Sequence, residues 1–103
     1  MTNLDINAIA KSGSSLPHLC VTLQRVDILQ LLIKYVPTIN LNQRNQQDAT
    51  PIHLSIIYDD VNMARFLLQS GADRTIPMKS KTCLQLANEF QNPTMIELFS
   101  SSS

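Results

Sequence analysis

Charge is scarce in this sequence, and what there is cancels. Asp, Glu, Lys and Arg make up 16% of the 103 residues, and the formal net charge is zero. An average globular chain carries about a quarter. Nothing therefore steers the chain towards nucleic acid or an anionic membrane surface. Cysteine is equally sparse. Cys20 and Cys83 stand far apart, outside any CxxC or His/Cys ligand spacing, which argues against a zinc site or a disulfide framework and for reduced, buried thiols. Long apolar runs are missing too: no stretch approaches the roughly 18 apolar residues of a membrane span. The opening "MTNLDINAIAKS" has no basic segment followed by an apolar one, so a secretory leader is not expected. An intracellular protein, cytoplasmic or nuclear and without membrane insertion, is the expectation. A Gly-rich phosphate loop, a Walker pattern and a Cys/His cluster are all missing. No enzyme activity, cofactor, metal or small-molecule substrate is expected.

What is present is length for one small domain, a hydrophobic content of 44%, and a repeat. Displaced by 35 places, "HLCVTLQRVDILQLLI" (18 to 33) falls on "HLSIIYDDVNMARFLL" (53 to 68), with His18 on His53, Leu19 on Leu54, Val26 on Val61 and Leu32 on Leu67. Displaced by 32, "TCLQLANEFQNPTMIELF" (82 to 99) falls on "TPIHLSIIYDDVNMARFL" (50 to 67). Three copies at such a period indicate a stacked array. Each copy has a short apolar segment, a polar break ("QR", "DD", "QN"), and a second segment with apolar residues at helical spacing, such as Ile28, Leu31 and Leu32 or Met63, Phe66 and Leu67. That pattern predicts a helical hairpin per copy. The joining stretches "YVPTINLNQRNQQDA" and "SGADRTIPMKSK" are polar, with Pro and Gly punctuation, and predict loops or extended hairpins.

These residues resemble the ankyrin repeat. The middle copy is the closest, with "TPIHLS" at 50 to 55 and "LLQSGAD" at 67 to 73; "LDINA" at 4 to 8 resembles the tail of a preceding repeat and "GSSLPHLC" at 13 to 20 the head of the next. The resemblance covers nearly the whole chain. It implies an all-α solenoid of stacked helix-turn-helix units joined by finger loops or short β-hairpins. The whole chain, 1–103, would be one domain with repeats near 10–44, 45–76 and 77–99, and 4–9 would end an earlier finger. A chain that begins inside a finger and ends in "SSSS" after a helix looks like a piece of a longer ankyrin protein. Three departures stand out. Val36-Pro37 replaces the helix-ending Gly-Ala in copy one. Cys83 and Gln85 replace Pro and His in copy three. The Gly usual between the two helices is missing throughout, with Gln24, Asp59 and Gln91 in its place.

A lone hairpin cannot bury its apolar face, so each repeat supplies its neighbour's missing wall, and three units is near the lower limit for stability. Thr50 suits the helix cap and Pro51 the first helical position; Ser15 keeps half of that device. Gly71 suits the left-handed residue past a helix end. His53 and His18 occupy the same place one repeat apart, with no nucleophile, acid or second ligand in the pattern. In ankyrin-like proteins this histidine bridges the inner helix to the neighbouring loop, so the resemblance implies a scaffold role for both. Asp59 and Asp60, adjacent in a turn, are read as solvated rather than as a catalytic pair.

The resemblance also says where a partner would bind: the finger tips and the inner-helix ends lining a concave face. Carried over, the inner-helix ends are Thr22-Leu23, Ile57-Tyr58 and Glu89-Phe90. Leu23, Tyr58 and Phe90 would form an apolar stripe, either exposed for binding or packed as core. The rim would be Lys11 and Ser12, then Gln46 and Gln47, then Met78, Lys79 and Lys81. The partner would be another protein, bound without catalysis by a scaffold or adaptor. Ankyrin-like fingers also resemble substrates of an asparaginyl hydroxylase, so the alternative readings are a regulatory substrate of that enzyme, with "DINA" placing Asn7 and "TIN" placing Asn40 at the modified position and Leu32 eight residues before Asn40, or a capping or scaffold part of a longer array with no partner site of its own. Nucleic-acid binding through Lys11, Lys79 and Lys81 has too weak a footprint to be expected.

Overall fold

The chain's computed structural model describes residues 15–100; the finger tail at 4–9, Asn7, Lys11 and Ser12 lie outside them. Six helices follow in order: α1 (Leu16–Thr22), α2 (Val26–Tyr35), α3 (Pro51–Ile57), α4 (Val61–Gln69), α5 (Cys83–Phe90) and α6 (Pro93–Ser100). They pair as hairpins α1–α2, α3–α4 and α5–α6. The first members pack side by side as an inner layer, and α4 packs between α2 and α6 as an outer layer. Described residues contain no strand.

Each inner helix starts at a hydroxyl residue in extended conformation: Ser15, Thr50 and Thr82. Such a residue can satisfy backbone N–H groups that have no partner in the first turn. Proline follows at the first helical position of α3, and one place later in α1, so Ser15 has both parts of the device in shifted order. Each inner helix stops at the position where the missing glycine was noted. Gln24, Asp59 and Gln91 all take left-handed backbone, with φ of 57°, 60° and 56°. After α1 the Arg25 N–H reaches the Cys20 carbonyl at 2.9 Å and the Gln24 N–H reaches Val21 at 3.0 Å; Asp60 to Ser55 (2.9 Å) and Asp59 to Ile56 (3.0 Å) repeat the pattern after α3. This closure ordinarily takes glycine, because a side chain there costs about 1–2 kcal/mol.

The outer helices start differently. Asp60 caps α4 through the Met63 N–H at 3.1 Å, and the Asn92 side-chain oxygen accepts from Thr94 and Met95 at the start of α6. Gly71, at φ 97°, ends α4, and the Ala72 N–H returns to the Leu67 carbonyl at 3.0 Å. At Val36-Pro37, α2 ends without a left-handed residue.

The core lies between the two layers. It includes Val21, Leu29, Ile52, Ile56, Met63, Leu67, Leu86, Met95 and Phe99, each large side chain contributing about 1.5–3 kcal/mol when fully buried. At this position burial follows from having a repeat before. Met63 and Met95 occupy equivalent positions in α4 and α6 and are 0% and 1% exposed, whereas Ile28, one repeat earlier, is 37% exposed.

The fingers are held by short local bonds. In the third, Met78 and Lys81 exchange both backbone hydrogen bonds, at 2.8 and 3.0 Å, around Lys79 and Ser80 with φ of 50° and 70°. Two successive left-handed residues make the tight hairpin turn that normally selects Asn-Gly. The expected hairpin is thus one residue pair long. In the second finger the Asn45 N–H donates to the Ala49 carbonyl at 2.9 Å, and Asp48 takes φ 65°.

Candidate functional site

The two histidines are wholly buried, and their bonds define their protonation. The Thr50 backbone N–H donates to His53 Nδ1 at 2.9 Å, and Nε2 lies 2.8 Å from the Ile76 carbonyl. An N–H can only donate and a carbonyl can only accept, so Nδ1 carries the lone pair and Nε2 the proton. His18 repeats this: Ser15 N–H to Nδ1 at 3.0 Å and Nε2 to the Ala49 carbonyl at 2.7 Å. Each imidazole is neutral and ties its own helix cap to the next finger. Burial pulls both below the ordinary 6.5, partly offset by the carbonyl each one faces. In the third repeat Gln85 takes the position. Its side-chain oxygen accepts from the Thr82 N–H at 2.8 Å, closing that cap alone.

Other bonds sew finger to finger. The Asp48 carboxylate accepts from the Lys79 N–H at 3.2 Å and from Arg44 at 2.8 Å, and both contacts, the Lys79 one first, hold its pKa below the carboxylate range. Arg44 also reaches the Pro77 carbonyl at 2.9 Å, and the Asp73 N–H donates to the Asn42 side chain at 2.8 Å. Sequence reasoning missed this network, which joins residues 31 to 33 apart in polar loops.

The inner-helix ends carry the expected apolar side chains on the outside. Leu23, Tyr58 and Phe90 are 38%, 43% and 48% exposed. Each directly precedes one of the left-handed residues Gln24, Asp59 and Gln91. Ile57, beside Tyr58, is half-buried against the core. On the fingers Gln46, Gln47 and Lys79 are exposed, while Met78 is half-buried and packs on the core. Lys81 is exposed but engaged, its ammonium 2.7 Å from Glu89. Asn40 is exposed on the second finger, and its carboxamide oxygen accepts from the Asn42 N–H at 2.8 Å.

A different concavity, of about 520 Å³, opens on the outer layer between α4 and α6, lined by Arg65, Leu68, Arg74 and Glu97 among others. None of the sequence-predicted residues faces it. Both thiols are buried, and burial raises their pKa, that of Cys83 to about 11, which leaves them unreactive. Among the described residues no group of three His, Cys, Asp or Glu is placed to hold a metal ion.

Against known families, a model of ankyrin repeats in three copies matches residues 2–78 and again 18–102. The chain belongs to the ankyrin-repeat family. Alpha-latrotoxin-Lh1a of Latrodectus hasselti is 30% identical over 66 residues, which is 63% of this chain and 5% of that protein. The chain therefore spans a small fraction of the curated relative it matches. Ankyrin repeats are in general noncatalytic protein-interaction modules, and no helix of the described residues is long and apolar enough to cross a membrane.

Proposed function

We propose that this ankyrin array is a noncatalytic binding module whose partner protein lies across the inner-helix ends and the fingers. Leu23, Ile57, Tyr58 and Phe90 form the contact centre. Gln46, Gln47, Met78, Lys79 and Lys81 form its rim. The observation that carries this reading is the recurrence of a large exposed apolar side chain at one place in three successive repeats. Scattered exposed apolar residues are ordinary, but an aligned row rimmed by polar groups is what interaction surfaces present.

The test is differential capture from lysate by the wild-type chain and a Leu23→Arg, Tyr58→Arg, Phe90→Arg variant, with circular dichroism and melting measured on both. A variant that stays folded and loses a defined set of partners supports the row as the binding face. A folded variant that keeps every partner overturns it.

A second reading, hydroxylation of Asn40, draws on the exposure of that side chain in a finger. Its test is a one-oxygen mass gain at Asn40 after treatment with an asparaginyl hydroxylase.

A further inference from the structure

The row of turns between inner and outer helices has an uneven charge pattern. At its first turn Arg25 and Asp27 form a closed two-bond pair, at 2.8 and 3.0 Å. At its third, Glu89 is neutralised by Lys81. Only the central turn, Tyr58-Asp59-Asp60, carries charge with no cation in ion-pair range among the described residues. One oxygen of Asp59 accepts from the Asn92 side chain and one of Asp60 from the Met63 N–H, leaving each carboxylate a second oxygen. Of the described cations with no carboxylate in that range, Lys34 lies at the far end of α2, Arg74 and Lys79 on the third finger, and Arg65 on α4, lining the outer-layer concavity. The chain is neutral overall, yet its apolar row is acidic at the middle.

Spacing restricts what can lie on it. Leu23, Tyr58 and Phe90 stand at the same end of neighbouring inner helices, and packed helices are about 8–10 Å apart. A partner helix rises 1.5 Å per residue, so seven residues advance about 10.5 Å and return close to the same face. An extended strand covers the step in about three residues, and an odd number turns its side chains to the opposite face.

Resting on the proposed binding reading, we infer that the inner-helix ends receive a basic amphipathic helix, with apolar anchors seven residues apart and Lys or Arg beside the central one. The anchors sit against Leu23, Tyr58 and Phe90, and the cation is drawn to the Asp59-Asp60 turn that directly follows the tyrosine.

The test uses fluorescence anisotropy of a labelled 18-residue helical peptide with leucines seven apart and two lysines beside the middle one. A second peptide has glutamates for the lysines, and a third has its leucines five apart. The expected result is that the lysine peptide binds at least tenfold tighter than either control. An Asp59→Asn, Asp60→Asn chain should lose most of that charge preference. Both substitutions are compatible with the fold, because asparagine tolerates left-handed backbone and caps helices well. Equal binding of the lysine and glutamate peptides, equal binding of the five-spaced peptide, or no binding of any of them overturns the inference. Tyr58→Ala and Phe90→Ala separate it from the reading beneath. If they weaken binding while the double Asn variant changes nothing, the row binds and the basic partner is wrong. If neither set matters, both fail.

Discussion

His53 Nε2 meets the Ile76 carbonyl at 2.8 Å across 23 residues, while Nδ1 of the same ring accepts from the Thr50 N–H. One uncharged ring therefore closes a helix cap and fastens the next finger. Replacing it with alanine strands a buried N–H and a part-buried carbonyl, at about 1–3 kcal/mol each. His53→Gln should keep the cap, as Gln85 does in the third repeat, and lose only the reach to Ile76. Urea unfolding should rank wild type above His53→Gln above His53→Ala, with the alanine variant about 2–6 kcal/mol below wild type. Equal losses for the two variants would show that the cap and the brace are not separable.

Mild acid should loosen the array. Both imidazoles titrate below their ordinary 6.5 when folded, so the unfolded chain binds more protons in that range. Stability is full above about pH 6.5 and falls as pH drops below it, by at most about 1.4 kcal/mol per pH unit for each histidine. Melting temperature followed from pH 7.5 to 5 should decline, and a His18→Gln, His53→Gln chain, though less stable, should show a flatter profile. A parallel decline in both would place the acid sensitivity elsewhere.

The left-handed turns offer the opposite kind of change. Glycine at 24 or 91 relieves a side chain held at positive φ, and each substitution should stabilise by about 0.5–1 kcal/mol once the extra freedom of the unfolded chain is counted. Asp59→Gly should gain less, because it also removes the bond from Asn92. Thermal melts of the three single variants decide it; a gain at 59 equal to that at 24 would mean the Asn92 contact contributes nothing.

Position within the stack should set the cost of a cavity. Met63→Ala empties a fully buried site and should cost about 2–5 kcal/mol. Ile28→Ala, at the equivalent place with the side chain 37% exposed, should cost about 1 kcal/mol or less. Similar losses at both would contradict the neighbour-dependent burial seen here.

The sequence disclosed whatever repeats. The hairpins, the paired histidines and the apolar row each recur at a nearly constant spacing, and periodicity is a signal that needs no knowledge of contacts. Single events stayed hidden. Arg44, Asp48 and Lys79 meet only because two polar loops are folded over each other, and Lys81 and Glu89 meet across two turns of α5. The Lys79-Ser80 turn was illegible for another reason: neither residue is a type that marks left-handed backbone. Gln24 and Gln91 adopt that backbone because the repeat geometry imposes it, and only the register with a glycine-bearing pattern pointed to it.

The three described hairpins are not equally closed to water. Six of the eight large apolar side chains left open among the described residues belong to the first hairpin and its end: Leu16, Leu23, Ile28, Leu31, Tyr35 and Val36. Phe90 is the only one from the last. In the language of crystals, the first hairpin has a high surface energy and the third a low one. Fraying of this array should accordingly be asymmetric, starting at the first hairpin, where each lost contact was already shared with water, and moving towards the third.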